Sequence, residues 1–271
     1  EVSEFLSGRS EALGAIETAA QRWAKGAFSA VALVGEQGSG KTSLVNCAMQ
    51  QKLAGIPIVR HRIDSTLVDV GDFSVLLKQL LDARSDNIDD LQREISSSSV
   101  RRIVILEDIH QLYLRAQGGL ELLRRLLEFI DATGGQLLWI ITIDQYAWQY
   151  LDHAILLSRH FAFLIETGRL SRSELEGAIM ARHQATGYAL RFVDGEVYSQ
   201  EDQVPLTRTF FDALSKACAG NVFAAIYYWL QSVRAVEGNI VEIAPLEELQ
   251  LQFLGAMPIE GMLSLGIVIQ H

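Results

Sequence analysis

The sequence predicts an α/β fold, in which a parallel five-stranded sheet flanked by helices is followed by a region of helices only. Strand-like apolar segments alternate with helical patterns as far as Thr167, and this alternation is typical of a parallel sheet. Two of the segments, 31–34 and 103–106, are apolar at every position, as strands buried on both faces are. Beyond Thr167 only helical patterns recur, so we expect the strands to end there.

The predicted elements follow one another in a regular order. A helix over 10–25 begins at Ser10, whose side chain can cap it. Ser171 and Glu174 form the capping-box pattern S-x-x-E at the start of the first helix after the sheet. The strands are predicted over 31–34, 56–63, 103–106, 136–143 and 161–166, and the helices between them over 44–49, 73–81, 118–132 and 147–157. The later helices are predicted over 171–183, 207–216, 219–236, 246–254 and 259–269.

Composition limits the class of protein to which the chain can belong. Its 271 residues, 49% of them hydrophobic, are enough for one large domain or two modest ones. A net charge of -10 argues against a general nucleic-acid surface, which needs clustered Lys and Arg. Cys47 and Cys218 have no metal-ligand spacing, so we expect a reducing, cytoplasmic location. No apolar run approaches the ~20 residues of a membrane-spanning helix, and the start at Glu1 indicates a piece of a longer protein.

The segment Gly35–Thr42, GEQGSGKT, satisfies the P-loop pattern G-x-x-x-x-G-K-[ST] at every fixed position. It follows an apolar strand and opens a helix, which is the context that the motif requires. Its glycines let backbone N–H groups turn toward phosphate oxygens at the positive end of a helix. We expect Lys41 to contact the β- and γ-phosphates and the Thr42 hydroxyl to ligate Mg²⁺. The sequence therefore predicts that ATP or ADP binds with Mg²⁺ through Gly35, Glu36, Gln37, Gly38, Ser39, Gly40, Lys41, Thr42 and Ser43.

Two acidic residues end the third predicted strand. The segment 103–106 runs directly into Glu107 and Asp108, and a parallel strand delivers its last residues to the sheet edge where the P-loop also lies. We expect Glu107 to help bind Mg²⁺ by orienting a water on the metal, and Asp108 to polarise the attacking water. The alternative is an exposed acidic turn, which any α/β protein can carry.

These residues resemble motifs of the AAA+ and STAND-type P-loop ATPases. The segment 5–13, FLSGRSEAL, is similar to the F-x-G-R-x-x-E-L segment that opens this class, and Glu107–His110, EDIH, is similar to its Walker B motif. The resemblance implies that Gly8 and Arg9 lie along the nucleotide base. It also implies the strand order 5-1-4-3-2 with right-handed crossovers. Most AAA+ enzymes carry Asp before Glu in Walker B, whereas this chain has the reverse order.

The same resemblance implies roles for two further residues. Thr142 ends the fourth strand, where these families carry the polar sensor-1 residue between the γ-phosphate and the Walker B acids. Leu157–Phe161, LSRHF, resembles the S-R-F box, in which Arg159 corresponds to an arginine finger on ATP held by a neighbouring subunit. The alternative for Arg159 is an ordinary surface ion pair. A finger implies a homo-oligomer or a protein partner.

The resemblance divides the chain into three parts. It implies a P-loop ATPase core over 1–168, a helical lid over 169–240 and C-terminal helices over 241–271. The last part is either the start of a winged-helix domain or two further lid helices.

One expected lid motif is incomplete. Gly220–Asn221 is similar to the pair that precedes the sensor-2 arginine, but Phe223 stands where that arginine is expected. The aromatic residues that follow in the same helix, Tyr227, Tyr228 and Trp229, are expected in the lid core.

We expect an ATP-hydrolysing module whose nucleotide state changes the conformation or oligomerisation of an attached domain or partner. The first alternative is a nucleotide-dependent switch or scaffold with little turnover, which the reversed acids and the missing sensor-2 arginine favour. The second is a DNA-handling ATPase of the initiator or transposition type, which the acidic balance opposes. The third is a small-molecule P-loop kinase, but the features after Thr142 do not suggest a lid of phosphate-binding arginines.

Overall fold

The first region of the fold is a five-stranded sheet with helices on both faces. The computed structural model describes residues 8–64, 69–114, 116–193, 203–247 and 256–270. The strands are β1 (Val31–Gly35), β2 (Ile58–Arg62), β3 (Arg102–Glu107), β4 (Leu137–Asp144) and β5 (Phe163–Glu166). The helices of this region are α1 (Ser10–Ala24), α2 (Lys41–Gln51), α3 (Val70–Leu81), α4 (Ile88–Ser97), α5 (Glu121–Thr133) and α6 (Gln145–Ile155).

The strand order is the one that the sequence predicts. The strands lie in the order β2-β3-β4-β1-β5 and every adjacent pair is parallel, which is 5-1-4-3-2 read from the opposite edge. Parallel strands joined through helices bring their carboxyl ends to one edge of the sheet. In the register, Gly35 of β1 lies beside Asp144 of β4, and Arg62 of β2 lies beside Glu107 of β3. The order of the strands thus gathers charged residues beside the P-loop.

Both faces of the central strands are buried under helices. Successive residues of a strand point to opposite faces of the sheet, so neighbouring residues enter different clusters. In β3, Val104 and Leu106 pack into the cluster that α3, α4, α5 and α6 cover. Ile103 and Ile105 pack into the opposite cluster, which α1 and α2 cover. This double burial explains why residues 103–106 contain no polar side chain.

The second region is not made of helices alone, as the sequence predicted, but contains a small sheet. Its elements are α7 (Arg172–Gln184), β6 (Ala189–Phe192), α8 (Gln203–Cys218), α9 (Val222–Gln231), β7 (Val233–Glu237), β8 (Ile240–Ile243) and α10 (Ile259–Gln270). The three strands lie in the order β6-β8-β7. Since β8 includes residues 241–243, the predicted C-terminal helical part begins with a strand of this sheet.

The missed strands have a local cause. The helix predicted over 219–236 ends at Gln231, and Val233–Glu237 pairs antiparallel with β8 around a turn in which Gly238 has a φ of 58°. Only Gln231 and Ser232 separate the apolar residues of α9 from β7, and no Gly or Pro stands between the two elements, so the change from helical to strand period is hidden. The Gly-Asn pair at 238–239 was the available hairpin signal.

An aromatic cluster forms the core of this second region, which we call the lid. The rings of Phe211 and Trp229 stack at 6.0 Å with an interplanar angle of 16°. Phe192 and Phe210 pack against the same indole. Tyr227 was expected in this core, but it is 52% exposed. Of the last two predicted helices, 259–269 corresponds to α10, and 246–254 lies largely outside the described residues.

The capping box that the sequence predicts at α7 is confirmed. The backbone N–H of Ser171 donates to Glu174 Oε2 at 2.7 Å, and the backbone N–H of Glu174 donates to Ser171 Oγ at 3.4 Å. Helix termini leave backbone donors without partners, and the box satisfies two of them.

Ser171→Ala is expected to lower the free energy of unfolding by about 1 kcal/mol, because it removes the cap of α7. Urea unfolding followed by circular dichroism measures the change. As a control, Thr18→Ala removes an exposed hydroxyl within α1 and should change stability by less than about 0.5 kcal/mol. Equal losses in the two variants would argue against a specific capping effect.

The same box should make stability depend on pH. Hydrogen bonds from Ser171 lower the pKa of the Glu174 carboxyl. A carboxyl with a lowered folded pKa stabilises the fold above its unfolded pKa of about 4.3 and loses that contribution as the pH falls through the folded value. We therefore expect the stability difference between the parent and Glu174→Gln to shrink below about pH 4, in unfolding curves measured across the acid range. A difference that grows on acidification would contradict this sign.

Candidate functional site

The P-loop joins β1 to α2 in a backbone conformation that depends on glycine. Gly38 and Gly40 have φ angles of 78° and 95°, and α2 begins at Lys41. Residues with a side chain rarely adopt such angles. A Cβ at Gly38 would also lie 2.6 Å from Phe223 Cβ, so the lid approaches the loop too closely for a side chain there. The first N–H groups of α2 lie at the positive end of a helix, which favours a phosphate.

The ammonium of Lys41 folds back over the loop. Its Nζ donates to the carbonyl oxygen of Gly35 at 2.7 Å and to that of Glu36 at 3.0 Å. Burial lowers the pKa of Lys41, although the charges of Asp144 and Asp108 act in the opposite direction. The lysine is thus held at the mouth of the loop by weak neutral acceptors that an anionic ligand can replace. Ser43, in the same first turn of α2, is half-buried.

Thr42 and Glu107 are brought together as the sequence predicts for a metal site. The Thr42 hydroxyl donates to Glu107 Oε2 at 2.8 Å. Glu107 ends β3 and only 2% of it is exposed, so its charge requires partners. Arg60 supplies one through Nε, which donates to Glu107 Oε1 at 2.6 Å, and Arg62 Nη2 lies 3.8 Å from Oε2. The two β2 arginines are the site residues that sequence reasoning missed most clearly.

Asp108 lies beside the predicted sensor residue. Its φ of 60° is in the left-handed region, which Asp tolerates better than most residues. Its backbone N–H donates to Thr142 Oγ1 at 3.0 Å, and Thr142 is only 1% exposed. The Asp108 carboxylate pairs with Arg62, whose Nε lies 3.1 Å from Oδ2. Thr142 therefore fixes the backbone at the point where the two acids diverge.

Two more residues at this edge were not predicted. Asp144 directly follows Ile143 in β4 and caps α6, accepting a hydrogen bond from the backbone N–H of Tyr146 at 2.8 Å. Burial lowers the pKa of Lys41, and the charge of Asp144 acts against this lowering. Arg169 binds Glu36 of the P-loop, with Nη2 2.8 Å from Oε1. The position of Asp144 at the end of a predicted strand indicated that it lies at this edge of the sheet. No feature of the sequence indicated that Arg169 would bind Glu36.

Arg9 is a buried link between the P-loop and the segment after β5. It is 8% exposed, and its Nη2 donates to the carbonyl oxygen of Ser39 at 3.1 Å and to that of Gly168 at 2.6 Å. Burial lowers the pKa of its guanidinium. Gly8 precedes it with a φ of 69°, and a Cβ there would lie 2.1 Å from Glu174 Oε1. Phe5, the first residue of the predicted motif, lies outside the described residues.

The lid is bonded directly to the P-loop. Asn221 caps α9 by accepting from the backbone N–H of Ala224 at 3.1 Å, and its Nδ2 donates to the carbonyl oxygen of Gln37 at 2.8 Å. The backbone N–H of Phe223 donates to the carbonyl oxygen of Gly38 at 3.2 Å. At the position of the expected sensor-2 arginine, the backbone therefore contacts the loop, while 69% of Phe223 is exposed.

Arg159 lies apart from this network. It belongs to a 3-10 turn, Leu157–His160, between α6 and β5, and it is exposed. Within the part of the chain that the structure describes, its side chain makes no hydrogen bond or ion pair with the residues around the P-loop. A finger acting on a neighbouring subunit has this exposure, and so does a surface arginine.

A P-loop at the carboxyl edge of a parallel sheet in this order, followed by a lid bonded to that loop, defines an AAA+ P-loop NTPase fold. Residues 6–162 match the AAA ATPase domain family. The match covers more than half of the 271 residues, and the chain belongs to this family. The sequence has no significant match among curated proteins.

Several solved structures share the fold. Aeropyrum pernix ORC1 in complex with DNA has a TM-score of 0.58 and 16% identity, over 84% of this chain and 59% of that chain. ORC2 from the same organism, in ADPNP-ADP complexes, has a TM-score of 0.56 and 17% identity, over 84% and 62%. PCH-2 of C. elegans has a TM-score of 0.55 and 14% identity, over 89% and 67%. The chain spans about three fifths of the two Aeropyrum proteins, and at these identities the likeness shows the fold alone.

Within the described ranges, no helix is both long enough and apolar enough to cross a membrane.

Asn221→Ala should weaken nucleotide binding more than Asn87→Ala, although each removes an asparagine cap. Asn87 caps α4 by accepting from the backbone N–H groups of Asp89 and Asp90, and both of these bonds lie within α4. Both variants should lose about 1 kcal/mol of stability, but only Asn221→Ala frees Gln37 from the lid. Titration with ADP carrying a methylanthraniloyl fluorophore measures the affinities. Equal affinities in the two variants would show that the lid contact does not shape the site.

Proposed function

We propose that this chain binds ATP with Mg²⁺, hydrolyses it to ADP and phosphate, and uses the nucleotide state to change the angle between core and lid. The observation that carries the proposal is that the P-loop makes two sets of hydrogen bonds. Thr42 binds the buried Glu107, and the carbonyl oxygens of Gln37 and Gly38 bind the lid. A ligand that moves the loop must therefore act on both. The change would control an attached domain or the assembly of an oligomer. A location in the cytoplasm, where ATP is available, agrees with this proposal.

The donor set fits a magnesium nucleotide. Mg²⁺ in phosphoryl-transfer sites is held by one or two protein oxygens together with phosphates. Thr42 Oγ1 and Glu107 Oε2, 2.8 Å apart, supply a hydroxyl and a carboxylate of this kind. Within the described residues, no group of three or more His, Cys, Asp or Glu could hold a metal without the phosphates. When bound, Mg²⁺ neutralises charge on the transferred phosphoryl group.

The protein residues divide the remaining work. Lys41 exchanges its two carbonyl acceptors for β- and γ-phosphate oxygens. Asp108 accepts the proton of the attacking water. Thr142 keeps Asp108 in place because its Oγ1 accepts a hydrogen bond from the Asp108 backbone N–H. Arg159 would act on nucleotide bound by a neighbouring subunit, where an arginine stabilises the charge of the transition state.

One specific observation favours a slow switch as the second candidate. Arg62 Nε lies 3.1 Å from Asp108 Oδ2, so this ion pair occupies a carboxylate oxygen that would otherwise bind the attacking water. A low hydrolysis rate would leave nucleotide binding intact and make exchange the controlling step.

Lys41→Ala should abolish phosphate release and weaken ATP binding at least tenfold, an order of magnitude set by the loss of a charge-assisted contact. Steady-state phosphate release and the nucleotide content of the purified protein measure the two effects. Lys78→Ala, which removes an equal charge from an exposed ion pair on α3, is the control and should behave as the parent. Phosphate release at background in the parent itself would favour the switch, and failure of the parent to bind nucleotide would overturn the proposal.

Arg159→Ala should lower phosphate release by roughly a thousandfold if the side chain acts as a finger, without weakening nucleotide binding. Because the finger and the P-loop would then belong to different subunits, mixing Arg159→Ala with Lys41→Ala should restore part of the activity that each variant lacks. Arg93→Ala, on an exposed arginine of α4, is the matched control. Parent-like activity of Arg159→Ala would show that Arg159 is an ordinary surface arginine and not a finger.

A further inference from the structure

Arg62 lies at the centre of the oxygens that the proposed function assigns to metal and water. It is the last residue of β2 and pairs in register with Glu107. Its Nη2 donates to Thr42 Oγ1 at 3.1 Å and lies 3.8 Å from Glu107 Oε2, while its Nε lies 3.1 Å from Asp108 Oδ2. One guanidinium thus contacts a hydroxyl of α2 and two consecutive carboxylates at the end of β3.

The neighbouring Arg60 has a different task. Its Nε binds Glu107 Oε1 at 2.6 Å, and its Nη1 binds Asn46 Oδ1 of α2 at 2.6 Å. This arginine is anchored at both ends and compensates the buried charge on the oxygen that faces away from Thr42. Arg62 is therefore not required to keep the Glu107 charge paired.

Arg62 is also more exposed to solvent than Arg60. Half of its side chain is exposed, against 29% for Arg60. Ion pairs of half-exposed arginines contribute little to stability, since water competes for both charges. A doubly charged cation set beside Thr42 and Glu107 while the guanidinium stayed would meet strong repulsion at a few ångströms. Arg62 must leave these oxygens before a metal can take them.

We propose that Arg62 is a built-in cation that competes with Mg²⁺ for Thr42 and Glu107 and with the attacking water for Asp108, so that nucleotide binding in this protein depends only weakly on the metal. This inference rests on the proposed binding of nucleotide at the P-loop. With Arg62 inward, the acids are neutralised and the site accepts the nucleotide alone. With Arg62 outward, the same oxygens are available to Mg²⁺. The side chain sets the metal concentration at which the site changes from one state to the other.

The test uses the full chain, ADP carrying a methylanthraniloyl fluorophore, and titrations with EDTA or with increasing Mg²⁺. In the parent, ADP affinity should change by less than about tenfold between EDTA and saturating Mg²⁺. Arg62→Gln should weaken ADP binding in EDTA. It should also lower, by about tenfold, the Mg²⁺ concentration at which half of the change in ADP affinity is reached, because the hydrogen bonds of the charged competitor are lost. Arg93→Gln removes the same charge from a distant exposed pair and should match the parent.

The outcomes distinguish failure of the proposed nucleotide binding from failure of the proposed role of Arg62. Absence of ADP binding in the parent under both conditions overturns the proposed function and this inference with it. ADP binding with the same Mg²⁺ dependence in the parent and Arg62→Gln overturns the inference alone. The parent titration decides the matter even where Arg62→Gln does not fold, because ADP binding that requires Mg²⁺ by a thousandfold or more contradicts a built-in competitor.

Discussion

The burial of one carboxylate at the end of β3 is the constraint on which the rest of the site depends. Glu107 is almost without solvent, and a buried charge is tolerated only where ion pairs and hydrogen bonds replace water. Those partners come from α2 through Thr42 and from β2 through Arg60. The Glu107 carboxylate therefore connects α2 and the edge strand β2 to β3 in the centre of the sheet. Removal of Arg60 would leave the carboxylate without its anchored partner.

The P-loop is the second point at which separate parts of the fold meet. Arg9 reaches the loop from the start of α1, Arg169 from the segment after β5, and Asn221 from the lid. Each contact uses a backbone carbonyl or a side chain of the loop rather than its N–H groups. None of these three contacts therefore competes with an anion for a loop N–H, while the loop acceptors hold the loop in place. This division allows the same short segment to be a structural junction and a binding surface.

The sequence was informative where local chemistry decides structure and less so where distant residues meet. The apolar run before Glu107 predicted a strand buried on both faces, and the P-loop pattern predicted its own flanks. Capping of α7 by Ser171 was readable because the partners are three residues apart. The role of Arg62 was not readable, because its position beside Glu107 follows from strand pairing over 45 residues of sequence. In the lid sheet only the pairing of β6 with β8 is distant in this sense, whereas the β7–β8 hairpin was missed for the local reason that β7 directly follows α9.

The pairing of β8 with β6 places the residues directly after β8 on the lid. β8 lies between β6 and β7, and the backbone N–H of Ala244 donates to the carbonyl oxygen of Ser232 at 2.8 Å. Leu246 packs on the aromatic cluster of the lid. The chain that continues toward α10 thus departs from the lid and not from the nucleotide-binding core. Any rotation of the lid relative to the sheet would therefore carry Leu246 with it, so that a displacement at Gln37 is accompanied by one at the point where the chain leaves the lid.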